Sequence, residues 1–301
     1  MKSFVESRTS RSDKIFYVCN FIFLAVVFVC VLYPLIFVVS ASFSSPTAVS
    51  GGQVWLLPVD FNLKGYEAVF NDPRIWKGYL NSMIYMFFGT ILNIVLTVLA
   101  AYPLSRNNFK SRNLFMFIFM FTMFFQGGMI PTYLLINKIG IINTRWALWL
   151  PNALIVYNVI ITCTFFKQSI GDSLFEAAQI DGCNDLYFLW KIVLPLSKAI
   201  IAVNALWYGV RHWNTFFDAL IYIQDVDLQP LQIVIRNILL KNSFDANAVA
   251  NINFEVLASQ EGIAEMLKFS LIIVASVPML IIYPFVQKFF VKGVMIGAIK
   301  G

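Results

Sequence analysis

The chain is 301 residues long, 59% hydrophobic and only 13% charged, with a formal net charge of +6 and a mean hydropathy of +0.74. A soluble domain carries about 25% charged residues, so this composition excludes a chain that covers its own surface with polar groups. It describes an all-α integral membrane protein with several spans, and the basic excess reads as cytoplasmic loops rather than a nucleic-acid surface. His212 is the single histidine, which excludes a multi-histidine metal centre. Cys19, Cys30, Cys163 and Cys183 show neither CxxC nor metal spacing and read as unpaired thiols.

In chain order, residues 1–14 are polar and basic, with Lys2, Arg8, Arg11 and Lys14. An apolar run from Ile15 to about Ala41 follows; it is too long for a cleaved signal peptide and reads as an anchoring span bent at Pro34. Residues 42–76 form a Ser-, Gly- and Pro-rich loop before a second span from about Trp76 to Tyr102, and the short loop after that span carries Arg106, Lys110 and Arg112. The third span, Leu114 to Ile136, is interrupted by Gly127-Gly128 and Pro131. A broken helix is tolerated in a membrane only beside neighbours or a cavity, so this segment is expected to face the protein interior. The fourth span covers about Trp146 to Phe166 and leads to a polar stretch over roughly 167–191. The fifth starts near Ile192, runs to about Val210 and continues, interrupted, to Ile223. A polar excursion over 224–265 holds an amphipathic helix from Leu231 to Leu240, and the sixth span covers about Met266 to Val286 before a basic tail.

Six spans of this length fit a bilayer, and an even number puts both ends on one side. The two ends, the 103–113 loop and the region from 167 through Lys198 hold 13 Lys and Arg against 6 acids, while the opposite loops hold 9 against 10. The positive-inside rule places both termini and the 167–191 stretch in the cytoplasm. The division is then a cytoplasmic segment 1–14, a six-span domain 15–291, and a cytoplasmic tail 292–301.

Within the 167–191 stretch, Ser173-Leu174-Phe175-Glu176 has the S-x-x-E form of a capping box, and Gly182 is placed to end a helix in the left-handed region. A helix of about two turns is predicted at about 173–183. On its own, Glu176 reads equally as a cap and Ala177-Ala178 as helix formers. The wider spacing argues for more: Glu176-Ala177-Ala178, then Asp181-Gly182, Phe188, Ile192, Leu194 and Pro195.

That spacing resembles the EAA loop of the membrane subunits of bacterial ABC importers. The resemblance implies a type I ABC importer permease fold in the bacterial plasma membrane, with the 173–183 segment as a coupling helix that docks on a cytoplasmic ATPase subunit. Glu176, Ala177, Ala178, Asp181, Gly182 and Pro195 are the implied docking residues. Ala199 departs from relatives that carry a proline there. Gly140 to Asn143-Thr144, Trp146-Ala147-Leu148, Trp213-Asn214 and the glycine-rich tail resemble MalG-like carbohydrate permeases, in which the tail reaches the ATPase interface; here that implicates Gly297, Lys300 and Gly301. Phe125-Gln126-Gly127-Gly128-Met129-Ile130-Pro131 looks most like the branch for pectin-derived and other complex oligosaccharides. The implied partners are a second homologous permease, two ATPase subunits holding ATP and Mg, an extracellular solute-binding protein and a carbohydrate, with no cofactor on this chain and membrane lipid around it. The 224–265 loop would contact the binding protein through Asn247, Asn251 and Asn253.

The residues agree with this energy source. No G-x-x-x-x-G-K-[ST] phosphate loop occurs, and the middles of spans two, three and four lack the ionisable groups that ion-coupled carriers place at mid-membrane. An amide, carboxylate and aromatic group (Asn204, Trp207, Trp213, Asn214, Asp218) reads as a sugar-lining path, or equally as interfacial aromatics. Arg211 and His212 are expected at the outer interface. A membrane-embedded enzyme lacks any paired carboxylates or nucleophile within the spans, and a non-sugar cargo such as an osmolyte or peptide is the alternative within the importer class.

Overall fold

The computed structural model describes residues 11–248, 266–284 and 287, with side chains from residue 12 and not for 241–248. Every regular element among them is a helix. The chain divides into two compact units, Met1–Asp72 with Ile238–Ala275, and Pro73–Asn237 with Ser276–Gly301.

The first unit is led by α1 (Arg11–Ser42), 32 residues with Pro34 inside. Its most apolar window buries nothing, as expected of a helix whose solvent is lipid. The chain after it folds back over its end through small hydroxyls. Ser40 Oγ donates to the Leu56 carbonyl at 2.7 Å, and Ser44 Oγ accepts from the Val59 amide at 3.1 Å. Two short helices follow, α2 (Pro46–Ser50) and α3 (Lys64–Asn71). A core of Ala41, Ala48 and Val54 is completed by Phe37 and Phe269, whose rings meet edge-on at 5.6 Å. Gly65 makes that packing possible, because a Cβ there would lie 2.4 Å from Ser270 Oγ.

The second unit is built on α4 (Pro73–Ser105), 33 residues long. Its buried face is a row at every fourth position: Asn81, Tyr85, Gly89, Asn93, Thr97, Ala101 and Ser105. Residues four apart share one helix face, so the polar and small side chains point inward. Leu80, Phe87, Phe88, Ile91, Val95 and Leu99 stay exposed on the other side. This inversion suits a helix in hydrocarbon, where small and hydrogen-bonding residues join helices and apolar ones meet lipid. The row is satisfied by neighbours: Thr97 Oγ1 bonds Tyr208 Oη at 2.7 Å, Asn93 Nδ2 donates to the Asn152 carbonyl at 2.7 Å, and Tyr85 Oη donates to the Leu228 carbonyl at 2.8 Å.

Against α4 pack α8 (Val156–Ser169) and α12 (Lys198–Trp213). Between them the chain forms α5 (Arg112–Phe124), α6 (Met129–Ile139) and the single turn α7 (Trp146–Trp149). After α8 come α9 (Asp172–Ile180), α10 (Asp185–Phe188), a π-turn over Leu189–Val193 and α11 (Leu194–Leu196). The remaining elements are α13 (Phe217–Tyr222), a 3₁₀ turn over Val226–Leu228, α14 (Leu231–Ala248) and α15 (Met266–Pro284).

Among the described residues, three helices are long and apolar enough to cross a membrane, or five spans if each of two bent pairs counts as one. The break in the third span falls at residues 125–128, as expected, and bends α5 against α6 by 111°. The expectation that this segment faces the interior holds in part: α5 buries none of its residues and α6 buries Ile136, while Thr122, Met123, Met129 and Thr132 join the break in lining a cavity. The fourth span is shorter than expected, because Pro151 separates α7 from the 14-residue α8. The fifth does not begin at Ile192. Residues Asp185–Leu196 form one limb, bent by 82° from α12 at Ser197. Pro195 has no N–H to continue the helical ladder, and a π-turn over Leu189–Val193 precedes it within the limb.

Candidate functional site

The polar stretch after α8 is anchored by few side chains. In α9 only Phe175 and Ala178 are buried, three positions apart on one face. They join a core with Val98, Ala101, Tyr102, Phe166 and Phe188, and the Phe175 and Phe188 rings meet edge-on at 5.1 Å. Glu176, Ala177 and Asp181 are exposed, as are the apolar Ile180, Leu186, Tyr187 and Trp190. Ile180 is 87% exposed, an unusual state for an isoleucine that nothing covers.

The helix starts one residue before Ser173, with Gly171 as N-cap and no side-chain cap bond, so the S-x-x-E pattern does not act as a capping box. Asn107, in the loop after α4, instead donates to Asp172 and accepts from Arg112. At the other end Gly182 has φ +80°, its amide donates to the Gln179 carbonyl, and the Cys183 amide donates to the Ala178 carbonyl, each at 2.9 Å. These two bonds form a Schellman closure that only a residue comfortable in the left-handed region supports. Pro195 is exposed on the limb that precedes Ser197. Ala178 is 8% exposed and turned inward, so of the paired alanines only Ala177 is open to another chain.

A cavity of about 690 Å³ lies at the break between α5 and α6, bounded by Gln126, Gly127, Asn152, Tyr157, Arg211 and Asp218 among others. Asn152 sits between the two charges. Its Oδ1 accepts from Arg211 Nη2 at 2.6 Å and its Nδ2 donates to Asp218 Oδ2 at 2.9 Å. The amide keeps guanidinium and carboxylate apart, leaving each with hydrogen-bonding capacity toward the cavity.

Of the sequence-predicted path residues, Asp218 lines this cavity. Trp207 stands next to it, stacked on Tyr157 at 5.7 Å. Asn204 is buried and donates to Thr162 Oγ1 at 2.8 Å, Trp213 is buried against Tyr79, and Asn214 donates to the Val210 carbonyl of its own helix. His212 is buried within the protein: it is 3% exposed, 2.9 Å from Asn93 Oδ1, in space left by Gly89, where a Cβ would lie 2.5 Å from its Nε2. Asn251, Asn253, Gly297, Lys300 and Gly301 lie outside the described residues, and for Asn247 only its place in α14 is described. The sequence reading missed Arg211 and Asn152 as cavity residues and Arg106 and Asn107 as supports of α9. Tyr102 and Arg106, four apart at the end of a span, were the available signal for the latter.

The fold and α9 define a class: an all-helical, multi-span membrane protein with a short helix left largely exposed. No protein-family model matches the chain. It is 40% identical over 273 residues to the polygalacturonan/rhamnogalacturonan transport system permease protein YtcP of Bacillus subtilis, covering 91% of this chain and 93% of that one. It is 37% identical over 292 residues to protein LplC of the same organism, covering 97% of each. A solved bacterial ABC transporter involved in the import of the acidic polysaccharide alginate contains a chain similar in structure, with a TM-score of 0.83, 35% identity and coverage of 94% of this chain and 99% of that chain. The chain belongs to the family of carbohydrate ABC transporter permeases.

Proposed function

We propose that this permease subunit carries an acidic oligosaccharide into a bacterial cell by alternating access, driven by separate ATPase subunits that bind ATP and Mg. The observation that carries the reading is α9, held by only Phe175 and Ala178 while Glu176, Ala177, Asp181 and a row of apolar side chains remain uncovered. An exposed apolar patch rimmed by charge suits a protein partner. ATPase closure would displace α9 and rock the spans between inward- and outward-facing states. A second permease would complete the pathway, and an external binding protein would deliver the sugar. Six crossings with both termini in the cytoplasm fit the arrangement if α1, α4, the α5–α6 pair, α8, α12 and α15 each count as one.

Arg211 and the relatives support the acidic cargo. The relatives named above include permeases or transporters for polygalacturonan/rhamnogalacturonan and for alginate, polymers whose uronate carboxylates suit a guanidinium. Asp218 and Asn152 would take sugar hydroxyls. The test is uptake of trigalacturonate against maltotriose by the importer reconstituted in liposomes with ATP inside. ATP-dependent accumulation of trigalacturonate alone is expected; accumulation of neither sugar, while the binding protein takes a non-sugar solute, would overturn it.

A further inference from the structure

Arg106 follows directly on α4 and is 6% exposed. Its guanidinium carbon lies 4.1 Å from the Phe175 ring centroid, 4.9 Å from that of Phe188 and 5.4 Å from that of Tyr102. Two of these rings belong to α9 and α10, and the third to α4. Its Nε and Nη2 have no hydrogen-bond partner among the described residues. Asp172 and Glu176 border the same pocket of about 190 Å³, yet neither forms an ion pair with it among the described residues.

Stability does not explain such a residue. A buried cation with unsatisfied donors is costly, and a well-packed apolar side chain in its place is often neutral or stabilising. What a guanidinium does that an alkyl chain does not is lie flat between aromatic faces and fix their mutual orientation. Phe175 is one of just two buried residues of α9, and this cation lies over its ring. On the other side Arg106 continues α4, the helix on which α8 and α12 pack.

We propose that Arg106 is a positioning residue that clamps α9 to the cytoplasmic end of α4, so that a displacement of α9 reaches the spans as a movement of α4. The inference rests on the reading of α9 as the ATPase-docking helix.

The test uses the assembled importer with its ATPase subunits, in a variant whose four cysteines are replaced, carrying spin labels at Ser173→Cys on α9 and Leu99→Cys on α4. The distance between the labels is measured without nucleotide and after trapping with ATP and vanadate. With Arg106 present, the two distributions superimpose, because α9 and α4 move together. In Arg106→Met the nucleotide-free distance is unchanged and the trapped one shifts beyond the wild-type width; Arg106→Lys, whose ammonium cannot lie across three rings, falls between. A merely structural defect would alter both states alike. Superimposed distributions in Arg106→Met would overturn the proposal, as would an altered nucleotide-free distance. Phe175→Leu removes the nearest ring without touching the charge and is read in the same way where Arg106→Met does not assemble. Gly182→Val separates the two readings. If its complex retains the ATPase subunits as the wild type does, the docking role of α9 fails; if it loses them while Arg106→Met matches the wild type, only the clamp fails.

Discussion

Gly182 allows the docking role of α9 to be tested by conformation alone. Its φ is +80°, and a Cβ built on it meets nothing within 4 Å. A side chain there therefore costs through backbone preference rather than collision within this chain. For an L-residue the left-handed region costs roughly 1–2 kcal/mol, less for Asn, more for a β-branched side chain. If that cost falls on the closed end of α9, about 1.4 kcal/mol lowers the population of the capped form tenfold relative to a frayed one. The expected order of ATP-driven uptake is wild type, then Gly182→Asn, then Gly182→Ala, with Gly182→Val lowest by roughly tenfold. Uptake and co-purified ATPase would be measured in reconstituted importer normalised to permease content. An order set by size instead, with Ala harmless and Asn as damaging as Val, would refute the capping argument and point to close approach of a partner at that position.

Other perturbations address different links. Gly89→Ala would drive a Cβ to 2.5 Å from His212 Nε2, and overpacking of this kind costs about 1–3 kcal/mol; a lower melting temperature in detergent is expected, and an unchanged one would contradict the packing described. Arg211→Gln keeps a donor for Asn152 but removes the charge, and a lost charge-assisted hydrogen bond of roughly 1.5–3 kcal/mol corresponds to about tenfold or more in the apparent KM for trigalacturonate. An unchanged KM with an unchanged maximum rate would remove Arg211 from the sugar path. Deleting residues 294–301 is expected to weaken ATPase stimulation while membrane insertion persists, and normal stimulation in the truncated form would exclude the tail from the ATPase interface.

The limits of the sequence reading have local causes. Length and hydropathy located α1, α4 and α15, because a span is a one-dimensional property of composition. The break at Gly127-Gly128 was equally visible. The sharp turn at Ser197 was not, since Ile192, Leu194 and Pro195 continue an apolar run and nothing in hydropathy separates a limb that lies across the chain from one that continues it. The burial of His212 depends on Gly89, more than a hundred residues away, and no local pattern carries that pairing. Ser173 and Glu176 satisfied a capping-box spacing, but Asn107 holds Asp172 and the helix begins earlier. Asn204 and Trp213 looked like sugar ligands by type alone. In place they meet Thr162 and Tyr79, and the cavity holds, beside the expected Asp218, Arg211 on α12 and Asn152 next to Pro151. In α4 the inward row of Asn, Gly and Thr follows a period of four, a pattern that becomes informative once lipid rather than water is taken as the solvent.

The central claim is that α9 couples this chain to external ATP hydrolysis for carbohydrate uptake. Its most direct test is accumulation of labelled trigalacturonate in liposomes holding the complete complex, with ATP inside, comparing the wild type with Gly182→Val. The account predicts ATP-dependent accumulation in the wild type and roughly tenfold less, with correspondingly less bound ATPase, in the variant. Equal accumulation by both, with the ATPase still bound, would contradict it.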